Sequence, residues 1–292
     1  MSKYDKKVLL SAFQKYIRRC DPMTLYWAKE LYLMDPNLVW QKLEVIGSED
    51  IGIACPNIQT YIFNQKQLHD SKNDIPFRRF VLLNTINYLI NQNKSRICDN
   101  VNHAYFKNNL PIINEEKNQL LNCFTLSLDG QVKLGALIPS FTKSINERDL
   151  DSSLKYAAHL FKMENERYLI NVLREPRNEH TTVLINLFNK YNSLNRNRTD
   201  VLFLVHLILY RTMDLNSINI VEVNDLTMDH VNKIFKDDAP LEFDDYVFDK
   251  HTNQGVKMGR GFKHFYEEGA VLKQCFIPDP YEKIARANNN AN

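Results

Sequence analysis

The residues best suited to chemistry lie near the end of the 292-residue chain, in the stretch DKHTNQGVKMGRGFKHFYEEGA at positions 249–270. Gly255, Gly259 and Gly261 allow backbone turns and close approaches that side chains forbid. Lys250, Lys257, Arg260 and Lys263 place positive charge around them. Consecutive N–H groups in such a loop form a nest for an anion, and a helix opening at Phe262 would add its positive N-terminal dipole. A phosphate, of a nucleic acid or a nucleotide, is the ligand this chemistry takes. His251 and His264 offer proton-transfer or metal-ligating groups beside it. On a helix, His264 shares a face with Glu267 and Glu268. The His-Glu-x-x-His helix of a zinc protease is missing. Three readings stay open: phosphate contact, acid–base catalysis, and a loop that only docks on helices through Phe262, Phe265 and Tyr266.

Two further charge clusters stand out. Lys3, Lys6, Lys7, Lys15, Arg18 and Arg19 punctuate an opening segment whose Leu9, Leu10, Phe13 and Ile17 recur at helical spacing. The expected element is an amphipathic helix with its cations in water, where they contact phosphates or are simply solvated. Residues 216–249 are acidic, with Asp225, Asp229, Asp237, Asp238, Glu242, Asp244, Asp245 and Asp249. These could chelate Mg²⁺, but they lack a regular ligand spacing and read rather as a solvated loop. A Walker A loop is absent: residues 47–52 begin and end on Gly, but no Lys and no Ser or Thr follow. ATP hydrolysis by that mechanism is excluded, and no cofactor is expected.

Composition sets the outer bounds. Lys and Arg number 37 against 35 Asp and Glu, so no global charge announces a nucleic-acid partner. With 44% hydrophobic residues the chain can bury a core of one large or two modest domains. The five cysteines are odd in number, widely spaced and without a CxxC pair, as expected of reduced thiols in an intracellular, cytoplasmic or nuclear protein. No apolar run reaches the roughly 20 residues that span a bilayer, so no membrane partner is expected.

The elements that must position these groups are helical. Asp21-Pro22 and Asp35-Pro36 each place a capping carboxylate before a Pro at the first helical position. Leu25, Ala28, Leu31 and Tyr32 follow the first; Leu38, Val39, Leu43 and Ile46 follow the second. Ser48, Glu49 and Asp50 supply a further cap. Residues 57–107 predict two more helices, the second opening at Pro76. Residues 108–150 read as a linker or a short hairpin, with LNCFTLSLDGQV at 121–132 turning at Asp129-Gly130.

The opening helices also carry a resemblance. Ser11, Ala12, Lys15, Arg18, Asp21, Pro22, Leu25, Tyr26 and Trp27 stand in the order Ser-Ala-x-x-Lys-x-x-Arg-x-x-Asp-Pro-x-x-Leu-Tyr-Trp. Ser48-Glu49-Asp50-Ile51-Gly52 follows with Ala54 and Pro56, and Lys94-Ser95 comes after the apolar run 80–90. Residues 8–107 thus resemble the C-terminal helical domain of the MgsA/RarA family, replication-associated recombination ATPases related to clamp loaders. The departures are Arg19, Cys20, Val45 and Asn93, and the ATPase half is missing. The resemblance implies a collar that assembles into a tetramer and works at DNA junctions and stalled forks.

Residues 151–215 repeat the register of the opening. Leu154, Ala157, Leu160, Phe161 and Met163 align with Leu25, Ala28, Leu31, Tyr32 and Met34, and Leu169 and Val172 with Trp40 and Leu43. Either a helical module is duplicated or two amphipathic hairpins are alike by chance. The expectation is a mainly α protein: a helical collar at 1–107, a linker at 108–150, a second module with acidic loop and tail motif at 151–285, and a disordered end at 286–292. The expected role is a non-ATPase, self-associating accessory protein of DNA replication or recombination, dimeric or tetrameric. Phosphate contacts are assigned to Lys6, Lys7, Lys15, Arg18, Arg19, Lys250, His251, Gly255, Lys257, Gly259, Arg260, Gly261, Lys263 and His264. Tyr26, Trp27 and Trp40 are assigned to the partner surface, the partners being a second copy, DNA, and a replication ATPase, polymerase or single-strand-binding protein. The alternatives are an enzyme acting on a phosphate-bearing substrate and a purely structural subunit.

Overall fold

Capping chemistry fixes where the helices begin. Asp5 accepts the N–H groups of Lys7 at 2.8 Å and Val8 at 3.1 Å, and α1 runs Lys6–Arg18. Asp35 accepts those of Asn37 and Leu38, with Pro36 at the first position, and opens α3, Pro36–Ile46. Asp21 acts differently. Its carboxylate closes a turn onto the N–H of Met23 at 2.8 Å, and α2 starts only at Thr24, running Thr24–Met34. The computed structural model describes residues 4–106, 130–194, 199–275 and 277–290. Among these the fold is helical with no strand, the mainly α architecture that the periodicity predicts.

The chain forms two units, one of residues 1–97 with 218–292 and one of residues 98–217. The first contains α1 to α3, α4 (Ile58–Asp70), α5 (Ile75–Asn91) and then, from the far end of the chain, the helix Met228–Lys236. Its core joins Leu9, Phe13 and Ile17 of α1 to Trp27, Trp40 and Ile86, and to Val231, Ile234 and Val247 from the returning segment. Each such buried side chain contributes roughly 1.5–3 kcal/mol. The expected boundary between modules at 150 therefore moves: residues 218–285 belong with the opening helices. Sequence order hides this, because the joining contacts link residues far apart along the chain, Ser11 to Val247 and Tyr16 to Asp244 among them.

The second unit contains all but the first residue of α6 (Ile97–Val101) and then α7 (Gly130–Asn146), α8 (Leu150–Lys162), α9 (Glu166–Leu173), α10 (Glu179–Ser193) and α11 (Thr199–Thr212). α7 occupies part of the expected linker and takes residues 130–132 of the expected hairpin into a helix, because a helix opens at the expected turn; the rest of that stretch, 121–129, and Cys123 lie outside the described residues. α10 opens with a capping box between Asn178 and Thr181. The residues aligned in the two halves are buried in parallel: Leu25 and Leu154, Ala28 and Ala157, Leu31 and Leu160, Trp40 and Leu169. Phe161 and Val172 break the parallel, each half-buried where Tyr32 and Leu43 are buried.

Three local expectations are corrected. Ser48-Glu49-Asp50 caps no helix; a wide, π-type turn at Gly47–Ile51 continues α3 and turns Asp50 inward. Residues 286–290, expected to be disordered, end the helix Glu282–Asn290. Trp27 and Trp40 are not a partner surface. Trp27 stacks on Phe243 at 4.5 Å between ring centroids, Trp40 sits against His69, and both are essentially inaccessible; Tyr26 is half-buried.

Candidate functional site: an ion cluster beneath the glycine-rich tail

The periodicity of α1 turns Phe13 and Ile17 inward, and the same face carries Lys15 and Arg18 with them. Both cations are 2% exposed, which corrects the expectation that they point to water. Arg18 bonds Asp50 through Nε at 2.6 Å, Glu49 through Nη2 at 2.8 Å and the carbonyl of Gly269 through Nη1 at 2.8 Å. Arg96 approaches the same two carboxylates, with Nη1 at 3.2 Å from Asp50 and 3.5 Å from Glu49. Gln14 donates to the other oxygen of Asp50 at 2.6 Å, and Lys42 donates to Gln14 at 2.5 Å. One helix turn away, Lys15 bonds Asp249 at 2.8 Å and the carbonyl of Val247 at 2.9 Å. The ring of His251 lies 3.2 Å from Asp249. Phe265 lies among these cations, with Arg18, Arg96 and Lys250 each within 6 Å of its ring.

Electrostatics follow from burial and pairing. Burial opposes the charge on Glu49, yet Arg18, Arg96 and Lys42 overcome it and hold its carboxyl down at about 2. Burial pushes Asp50 up, with the Glu49 charge adding to it against the two arginines. Burial likewise opposes the charge on Asp249, but His251 and Lys15 hold it well below the usual carboxylate range. Burial brings Lys15 down to about 8 even though Asp249 pulls the other way. The partners differ because the lysine loses more hydration than one ion pair restores.

The tail folds back onto this cluster. Asp249 begins a turn that Thr252 closes, and the Thr252 hydroxyl accepts the N–H of Gly255 at 3.0 Å to cap the short helix Asn253–Lys257. A Cβ on Gly255 would stand 2.1 Å from the carbonyl oxygen of Asp249, so only glycine fits. Gly259 adopts φ +71°. The anion nest is not formed. The N–H groups of Gly255, Val256, Met258, Gly259 and Arg260 all bond within the tail itself. Arg260 grips both carboxylate oxygens of Asp245, at 2.6 and 2.7 Å, and the carbonyl of Phe248. Arg19 stacks on Tyr246, donates to the carbonyl of Glu268 and is half-buried. Lys250 lies over Phe262 at 3.7 Å.

What remains in water is a smaller set: Lys6, Lys7, His251, Lys257, Gly259, Gly261 and Lys263, with His264 half-buried. Lys7 reaches Asn253, at 3.4 Å, so the two basic ends of the chain meet. Among the described residues no group of three or more His, Cys, Asp and Glu is gathered as a metal would need, and the acidic stretch makes none. Cys20, Cys55, Cys98 and Cys275 are free thiols. No described helix is long and apolar enough to cross a membrane.

Arg96 and Gln14 were missed by motif reasoning, since neither sits in a chemical pattern. The available signal was Asp50 itself, a carboxylate between Ile46 and Ile51 that burial obliges to find a cation. The residues quoted for the collar resemblance converge here: Lys15, Arg18, Glu49 and Asp50 lie in the cluster. Lys94, fully buried, donates to the carbonyls of Leu89, Ile90 and Gln92 at the end of α5. No protein-family profile, curated protein or solved structure matches the chain.

Proposed function

We propose that this chain is a non-enzymatic, self-associating module of DNA replication or recombination, a relative of the MgsA/RarA collar without its ATPase, working inside the cell. What supports this reading is that Lys15 and Arg18 of α1 and Glu49 and Asp50 of the Gly47–Ile51 turn, all in the stretch that carries the resemblance, belong to one ion cluster. The cluster pairs its charges with one another. It locks α1, the Gly47–Ile51 turn and the tail in one register, which is what a scaffold requires.

The contact with nucleic acid then falls to the cations left in water. Lys6, Lys7, Lys257 and Lys263 replace the longer set of phosphate ligands that the sequence suggests. Gel-shift titration with forked and single-stranded DNA, repeated from about 50 to 200 mM salt, tests this part. The wild-type chain should bind with an affinity that falls steeply with salt. The variant K6E/K7E/K257E/K263E, changed only at exposed positions, should lose binding at every salt while keeping its circular dichroism. No binding by the wild type at low salt removes the nucleic-acid role. Light scattering tests self-association separately, a monomer at all concentrations removing the collar role.

A further inference from the structure

The structure assigns a second recognition site, on α5. Its sequence FVLLNTINYLINQN carries side-chain amides at Asn84, Asn87 and Asn91, then Gln92 and Asn93 just past the helix. Residues 219–226, reading NIVEVNDL, run antiparallel to it, and these amides hold that segment by its backbone. Gln92 forms a closed pair with Val221, donating to its carbonyl at 2.8 Å and accepting its N–H at 3.1 Å. Asn84 accepts the N–H of Leu226 at 2.6 Å and faces its carbonyl at 3.5 Å. Asn87 donates to the carbonyl of Asn224 at 3.0 Å, and Asn93 to that of Asn219 at 3.2 Å. Asn91 donates to the carbonyl of Asn87 at 2.8 Å, at the base of the row.

A primary amide offers one donor and one acceptor side by side, as a neighbouring β-strand does. The row therefore reads main chain rather than side chains, the mode by which sheet edges capture extended peptides. The captured segment buries little of itself. Ile220 is 42% exposed, Val221 and Val223 are only half-buried, and Leu226 alone of its apolar residues reaches the core, itself half-buried. Backbone recognition with light side-chain burial is the chemistry of an exchangeable ligand. We infer that the α5 amide row is a clamp for extended peptides that mix apolar and acidic residues, and that residues 219–226 are its intramolecular occupant. Tethering gives the resident segment a high effective concentration, so an outside peptide competes only in excess or when the resident is weakened.

The test uses a fluorescent peptide of sequence SINIVEVNDLT, matching residues 217–227, and the full-length chain. The variant Val221→Pro removes the N–H that Gln92 accepts and weakens the resident segment. Anisotropy should rise saturably with this variant. Adding Asn84→Ala and Gln92→Ala should weaken binding by about tenfold or more, as should N-methylating the peptide at its Val221 and Leu226 positions. A helical Val221→Pro protein that ignores the peptide, or binds the N-methylated form equally well, overturns the proposal. If that variant does not fold, hydrogen exchange on the unmodified chain decides. Excess unlabelled peptide should speed exchange at Val221 and Leu226 and leave α10 and α11 unchanged; unaltered exchange at millimolar peptide overturns it equally.

Discussion

Replacing Arg18 by Met keeps the length of the side chain and removes its charge. Three hydrogen bonds go with it: to Asp50, to Glu49 and to the carbonyl of Gly269. Removing one partner of a buried ion pair costs about 3–5 kcal/mol, because the other charge stays behind in a poor solvent. Arg96 and Gln14 still touch Asp50, which favours the lower figure. The orphaned Gly269 carbonyl adds about 1 kcal/mol. The expected loss is about 4 kcal/mol, which at a slope of about 2 kcal/mol/M moves the urea midpoint down by about 2 M. The assay is tryptophan fluorescence, since both tryptophans, Trp27 and Trp40, are core residues of the unit that holds the cluster. If an uncompensated carboxylate causes the loss, then Asp50→Asn in the same chain should restore part of it. The double variant should cost less than the sum of the singles by about 1.5 kcal/mol or more. A loss below about 1 kcal/mol, or strictly additive costs, refutes the reasoning.

The cluster also sets a response to acid. Arg18, Arg96 and Lys42 hold Glu49 at about 2 against an ordinary 4.5, so the folded state keeps it ionised where the unfolded chain takes up a proton. The stability it supplies is complete above pH 4.5 and drains away as pH falls towards 2; urea midpoints measured across that window should fall more gently for Glu49→Gln, and an unchanged slope refutes the assignment. Gly255→Ala should destabilise the tail by roughly 1–3 kcal/mol, because the new Cβ meets the Asp249 backbone at 2.1 Å. Limited proteolysis should then cut residues 250–262 faster while α10 and α11 stay resistant, and an unchanged cleavage pattern counts against the docked tail.

The helices were legible because their causes are local. Asp35-Pro36 carries its own cap, and the Leu25-Ala28-Leu31 stripe needs only the 3.6-residue period to declare a buried face. The candidate site was legible only in part. Lys15 and Arg18 stand out as cations in any reading, but a charge on an amphipathic helix is assigned to water unless a buried partner is known. Their partners Asp249 and Gly269 lie more than 230 positions along the chain. The tail sequence leaves a phosphate nest and a docked loop both open; Gly255 serves a close approach of the chain to itself, and Phe265 and Tyr266 are buried, as a docked loop requires.

By itself, then, the sequence determined the helical class, the starts of α3 and α5, and which residue types were available for charge chemistry. Only the tertiary structure decided which cations are buried, which carboxylates neutralise them and which few lysines still face water. The physical reason is the range of the forces concerned. Capping and periodicity act within one or two helix turns, while desolvation depends on whatever covers a side chain, from any distance along the chain.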